Sequence, residues 1–283
     1  MSMISGTPFR NKGIIVTGGG TGLGRELCLK LSQYGARIYT FGRTEATLRE
    51  TKRIVSESGG ELEYNVLDIR KYDLVNEFVK NAFQNDEISG LVNNAAGNFI
   101  SKTEDLSMNA FKSVIDIVLM GSINTSIQVA REWMERGKKG SVVNILTSYA
   151  DTGSAYVTPS AAAKGGLRAF TKSVAVEWGP KGIRANGVAP GPFKTEGAWK
   201  NLIPDESYER ALMEKNPMKR LGTKKEISEL ISYLLSDYSS FINGEVITID
   251  GGEWIQGAGQ FNMLSQLGDD VWEVIKNSRV KKE

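Results

Sequence analysis

Hydrophobic residues along this chain fall into short continuous runs, separated by longer stretches in which they recur every three or four positions. Runs such as Ile14-Ile15-Val16 and Val142-Val143-Asn144-Ile145-Leu146 do not alternate, as expected of strands covered by helices on both faces. The pattern predicts strands over 13–17, 36–41, 61–66, 88–92, 141–146, 183–189 and 245–250. Between them it predicts helices over 22–34, 45–58, 72–83, 107–135, 159–178 and 224–236, with an irregular segment from 190 to about 217. Repeated strand–helix alternation makes an α/β chain with a doubly wound parallel sheet of about seven strands. No repeat or linker interrupts the pattern, so residues 1–283 read as a single domain with a substrate lid at 191–217 and a tail at 253–283.

Composition narrows the chemistry. The sequence is 40% hydrophobic, enough for a sizeable core, and its 35 Lys and Arg against 33 Asp and Glu leave a formal charge of +2. That balance offers no single-sign block for nucleic acid or an anionic membrane, so a small-molecule partner is expected. A single cysteine, Cys28, excludes an internal disulfide and a multi-cysteine zinc site, and it reads as a buried helix position. The absence of histidine removes Ser–His and Cys–His nucleophile systems and HExxH zinc sites, and no metal is expected. Proton transfer is left to Tyr, Lys, Asp, Glu, Cys or water. No apolar run approaches the roughly 18 to 20 residues of a membrane span, and the first dozen residues lack a signal-peptide core, so a cytoplasmic protein is expected.

Ligands of such sheets bind beyond the carboxyl ends of the strands. There, between the first strand and first helix, lies Thr17-Gly18-Gly19-Gly20-Thr21-Gly22-Leu23-Gly24. Glycine permits a sharp turn and close approach of backbone to ligand, and the helix N-terminus offers free N–H groups to a phosphate. Arg25-Glu26 follows instead of Lys-Ser/Thr, so the loop is not a P-loop. The second strand ends in Tyr39-Thr40-Phe41-Gly42-Arg43, with no acid to bind ribose hydroxyls. The Arg43 guanidinium suits a 2′-phosphate, which selects NADP(H) over NAD; a solvated arginine opening the next helix is the alternative. Asp68, past the third strand, either accepts a hydrogen bond from the adenine amine or caps the following helix.

The glycine loop, Asn93-Asn94-Ala95-Ala96-Gly97 and Pro190-Gly191-Pro192, each at a strand end, together resemble the short-chain dehydrogenase/reductase family over about residues 10–252. The resemblance implies a Rossmann-type fold and a homotetramer. It further implies that Gly18 to Leu23, Asn94 and Ala95 line the cofactor, and that Pro190, Gly191, Pro192 and Phe193 contact its nicotinamide side. The family's usual Tyr-x-x-x-Lys signature is altered. Lys164 is present, but Ser160 stands at the tyrosine position, Thr147 at that of the upstream serine, and Met120 at that of an asparagine that holds a relay water. An aliphatic hydroxyl is a far weaker acid than a phenol, whose pKa is about 10. Ordinary carbonyl reduction at that position is therefore not expected.

A second tyrosine, Tyr149, stands fifteen positions before Lys164. The runs 146–153, 159–164 and 93–100, with the tail Gly259-Gln260-Phe261-Asn262, are similar to the 2,4-dienoyl-CoA reductase branch of mitochondrial type. That similarity implies catalysis by Tyr149, Lys164, Asn98 and Ser160, with Asn98 orienting the substrate. It implies NADPH-dependent reduction of 2,4-dienoyl-CoA to 3-enoyl-CoA in fatty acid β-oxidation. In a dienoyl thioester, hydride arrives at C5 while charge gathers on the thioester oxygen, so the proton donors must follow that oxygen. The similarity also implies an acyl-CoA held by Arg70 at its phosphates and by Phe99 and Ser107 near the thioester. Lys194 and Lys200 fall in the lid without an assigned role. Alternative roles remain: Tyr149 as a loop-packing residue, Asn98 as a turn residue, Tyr156 as a rival phenol. Two other functions do too: reduction of a 3-oxoacyl or another enoyl thioester, and a catalytically idle NADP-binding sensor.

Overall fold

A computed structural model describes residues 6–194 and 205–280. Seven strands, β1 (Gly13–Thr17), β2 (Arg37–Gly42), β3 (Glu61–Val66), β4 (Ile88–Asn93), β5 (Gly140–Ile145), β6 (Ile183–Pro190) and β7 (Val246–Ile249), form one sheet in the order β3-β2-β1-β4-β5-β6-β7. Every pairing is parallel. The helices α1 (Gly22–Gln33), α2 (Glu45–Glu57), α3 (Tyr72–Asn85), α4 (Met108–Ile115), α5 (Gly121–Glu135) and α6 (Thr158–Trp178) agree with the periodicity to within a few residues.

Successive strand residues point to opposite faces, and in the inner strands β1, β4 and β5 both faces are buried. Ile15, Leu91 and Val142 pack with Phe78, Trp133 and Val174 from α3, α5 and α6. Ile14, Val16, Val92 and Val143 join Leu27, Leu31, Ile231 and Leu234 on the other face, the last two from α8 (Lys224–Leu235). Continuous apolar strands are the direct result. A buried polar chain fixes the centre: the Asn93 amide donates to Ser126 Oγ and Asn144 Oδ1 at 2.7 Å each, and Asn144 Nδ2 donates to Thr171 Oγ1 at 2.8 Å.

Two expectations need correction. The segment before Pro217 is not wholly irregular, because α7 (Glu206–Lys215) forms there, its N-cap Asp205 accepting from Ser207 N at 2.7 Å. Within the expected lid, residues 195–204, Lys200 among them, lie outside the described residues. Second, the helical stretch Met108–Glu135 has the length and composition of a membrane span. It nevertheless buries Ser122, Thr125 and Ser126 and packs against α3 and β4 as one of the layers covering the sheet. Its middle residues, Asp116–Met120, form a π-turn. Beyond β7 the tail forms α9 (Glu253–Ala258) and α10 (Asp269–Val280).

Candidate active site

Strand order reverses between β1 and β4, and a cleft of about 490 Å³ opens at their carboxyl ends. Gly18 turns the chain out of β1 at φ +70°, a conformation costly for any side chain. A Cβ on Gly24 would lie 2.2 Å from the Gly18 carbonyl oxygen, so α1 presses directly on the loop. The N-cap Thr21 makes no side-chain cap, and the first turn of α1 contains no acid. That leaves N–H groups and the positive end of the helix dipole for an anionic ligand, so the site fits a dinucleotide pyrophosphate.

Gly18, Gly20, Thr21, Gly22 and Leu23 line the cleft, with Arg43, Asp68, Asn94 and Ala95. Gly19 does not: its N–H donates to Thr40 Oγ1 at 3.0 Å, and a Cβ there would sit 2.7 Å from Cys28 Sγ. Its smallness serves packing against the sheet. Cys28 is buried beneath this loop, which pushes its thiol up to about 12. Thr17 Oγ1 accepts from the N–H groups of Asn94 and Ala95 at 3.0 and 2.9 Å, and the Asn94 amide donates to Thr17 O at 3.0 Å. The two strand ends are stitched together where the cofactor would lie.

At one end, Arg43 is exposed beside Thr44, Thr47 and Leu48. The nearby Asp68 is held below the usual carboxylate range, chiefly by hydrogen bonds from the Arg70 guanidinium, which approaches to 2.6 Å. Arg70 is thus engaged and lies off the cleft wall. Phe99 packs against Val114, Val118 and Ala163, and Ser107 caps α4 by accepting from Ala110 N at 3.1 Å. All three expected acyl-CoA contacts stand outside the residues lining the cleft. Pro190, Gly191 and Phe193 line it; Pro192 does not, and its carbonyl accepts from Gly222 N at 3.1 Å.

At the other end, Tyr149, Asn98, Ser160 and Lys164 meet. Tyr149 lies on a 3₁₀ turn, Ser148–Ala150, after β5. Its hydroxyl stands 3.2 Å from Ser160 Oγ and accepts a long hydrogen bond from Asn98 Nδ2 at 3.5 Å. Asn98 Oδ1 accepts from Phe99 N at 2.9 Å, which turns the amide nitrogen toward the phenol. Ser160 and Lys164, one turn apart on α6, are buried. The Lys164 ammonium donates to the Ile145 carbonyl, and burial without a carboxylate lowers it to about 8. Tyr156 is exposed, adopts φ +64°, and is absent from the cleft wall.

Sequence reading misses Ile117, Val118, Lys224 and Ile227 on the wall. Met120, read as standing at the relay-asparagine position, is 39% exposed and off the cleft wall, whereas Val118 is fully buried and lines it. The π-turn adds one residue to the helical repeat and turns the faces of the residues after it by about 100°. A regular helical wheel carries no signal of that shift.

Residues 18–253 match the family described as enoyl-(acyl carrier protein) reductase. The chain is 39% identical over 249 residues to a probable 2,4-dienoyl-CoA reductase, (2E)-enoyl-CoA-producing, of Bacillus subtilis strain 168, covering 87% of this chain and 98% of that protein. It is 36% identical over 283 residues to probable 2,4-dienoyl-CoA reductase 3, (3E)-enoyl-CoA-producing, of Caenorhabditis elegans, covering 95% and 89%. The crystal structure of a short chain dehydrogenase from Bacillus anthracis superposes with a TM-score of 0.78 at 38% identity, covering 86% of this chain and 96% of that one.

Proposed function

The chain belongs to the short-chain dehydrogenase/reductase family, and on that footing we propose that it reduces 2,4-dienoyl-CoA with NADPH during β-oxidation of polyunsaturated acyl chains. The observation that carries this reading is the Tyr149 hydroxyl in the cleft, between the Asn98 amide and Ser160, with buried Lys164 on the same wall. The phenol has left the helix position that serves carbonyl reduction, where Ser160 now stands.

When bound, the nicotinamide supplies the hydride that reaches C5 of the conjugated chain. Tyr149 O–H and Asn98 N–H donate to the thioester oxygen, where the resulting charge collects, and are aimed before it forms. Ser160 accepts from or donates to the phenol and orients it. Lys164 binds the nicotinamide ribose, and its ammonium favours negative charge on the phenol side. Arg43 grips the 2′-phosphate, the feature supporting NADPH over NADH. Asp68 accepts from the adenine amine, and Arg70, paired with Asp68 at 2.6 Å in the free chain, turns to a coenzyme A phosphate when the thioester binds. Phe99 and Ser107 flank the acyl thioester, and residues 191–217 act as its lid.

A dienolate carries charge at C2 and C4. Protonation at C2 gives the 3-enoyl product and protonation at C4 the 2-enoyl product, and the names of the two relatives divide along that line. We assign the 3-enoyl product, because C2 is bonded to the carbon whose oxygen Tyr149 and Asn98 hold, and water supplies the proton there. Val118 and Ile117, which also line the cleft, carry no side-chain proton to donate. The enzyme is assigned to the cytoplasm and to a homotetramer.

NADPH oxidation with a 2,4-dienoyl-CoA, a 3-oxoacyl-CoA and a 2-enoyl-CoA in parallel tests the reading. The dienoyl substrate should turn over fastest, and equal or faster turnover of the 3-oxoacyl substrate overturns it. Tyr149→Phe should lower kcat by about 10²- to 10³-fold, as loss of an oxyanion donor does elsewhere. Ser160→Ala should retain a substantial fraction of activity, and the reverse ranking refutes the assignment of Tyr149.

A further inference from the structure

When a catalytic tyrosine and lysine are four positions apart on one helix, the helical repeat alone puts them on one face. Here they stand on different elements, Tyr149 on a 3₁₀ turn and Lys164 on α6. Their relation must therefore be set by tertiary contacts.

Beside the Tyr149–Ser160 hydrogen bond itself, two further contacts join the turn to the helix. Asp151, the residue that ends the turn, places Oδ1 2.7 Å from Nε of Arg168, one helical turn beyond Lys164. Both side chains are largely shielded, at 33% and 24% exposure. Gly165, the residue after Lys164, lies so near the turn that a Cβ would sit 3.3 Å from the Ala150 carbonyl oxygen. Gly153 N donates to Tyr149 O at 3.0 Å and closes the backbone around Asp151. Asp151 and Arg168 thus bracket the two reactive groups, one on each element.

We infer that the Asp151–Arg168 ion pair is a positioning device that holds the Tyr149 hydroxyl in register with Lys164 and Asn98. The inference rests on Tyr149 being the proton donor. A half-shielded ion pair adds little to global stability. A misplacement of about 1 Å in a reacting group, however, costs about 100-fold in rate. The pair's effect therefore falls on turnover far more than on folding.

The test uses Arg168→Met and Asp151→Asn in the full chain, reading kcat on the preferred thioester, NADPH affinity by fluorescence titration, and Tm. Each variant should lose about 10- to 100-fold in kcat, with NADPH affinity and Tm nearly unchanged, and Arg168→Lys should recover part of the loss. In a Tyr149→Phe background, Arg168→Met should cause no further loss in residual turnover, because both substitutions remove the same interaction. Wild-type kcat in Arg168→Met beside an impaired Tyr149→Phe overturns the inference alone. So does a loss that multiplies fully with that of Tyr149→Phe. Wild-type turnover in Tyr149→Phe instead removes the premise, and the inference falls with it.

Discussion

Lys164 carries its charge where charge is costly. Its ammonium is buried, has a carbonyl rather than a carboxylate as its partner, and is lowered to about 8 by desolvation. In the unfolded chain a lysine titrates near 10.4. Between about pH 8 and 10.4 the unfolded state therefore binds more protons, and stability rises with pH through that window. Below it, the charged side chain costs on the order of 3 kcal/mol, because each tenfold loss of proton affinity on folding is worth about 1.4 kcal/mol. Lys164→Met should unfold at higher denaturant concentration than the parent at pH 7, with the gap closing toward pH 10.4. Chemical denaturation at both pH values checks this, and equal midpoints at pH 7 refute it. Turnover should fall as pH rises through about 8 in the free enzyme, since the ammonium is then lost. At the other end of the cleft, Arg43→Ser should weaken NADPH binding by about 10- to 100-fold, the cost of one charge-assisted hydrogen bond, and leave NADH binding nearly intact. Calorimetric titration with both nucleotides measures the ratio. Arg43 could be singled out because the end of the second strand fixes where it falls, and Asn98 because the run 93–100 resembles a known family branch. The Asp68–Arg70 pair could not: two residues of opposite sign near a loop do not disclose whether they face each other or a ligand.

At the scale of elements, the glycine loop and α1 are one mechanical unit. Gly24→Ala would force a methyl group to within 2.2 Å of the Gly18 carbonyl, so the loop must move away from the geometry that frees the α1 N–H groups. NADPH affinity should drop at least about tenfold, with a destabilisation of about 1–3 kcal/mol typical of overpacking. Parallel titration and thermal melts test the two effects, and unchanged affinity would show that the contact does not shape the site. The same unit explains what is legible before folding. The inner strands β1, β4 and β5 can be read because they are buried on both faces and so form continuous apolar runs. The edge strands β3 and β7 follow from their place in the strand–helix alternation, and the glycines mark the first crossover. Helix α7 is missed because its short run, Glu206–Lys215, has no buried residue, and without an apolar stripe periodicity has nothing to detect. The π-turn is missed for the opposite reason: Asp116–Met120 is an almost continuous apolar run inside a long helix, where one added residue leaves no visible break.

The whole molecule leaves apolar surface that a monomer would be expected to cover. The tail exposes Ile255, Phe261, Met263 and Val274, each about two-thirds or more accessible, and Trp254 and Trp272 in part. These residues cluster in sequence between α9 and α10, at the end of the chain that follows the edge strand β7. Isolated exposed apolar residues are ordinary, but a group of this size on one segment marks a contact surface. Closed symmetric assembly is the common way for a soluble chain to bury such a group. On the proposed homotetramer, light scattering coupled to size exclusion should give a mass near four times the 31.0 kDa chain. Phe261→Glu combined with Trp272→Glu should lower that mass at equal concentration and make Tm depend more steeply on protein concentration. Because neither side chain belongs to the sheet core, the monomer's fold should survive the change, with the far-ultraviolet circular dichroism spectrum preserved. A double variant that stays at four copies would assign the interface to other exposed groups, such as Val176 on α6 or Met108 on α4.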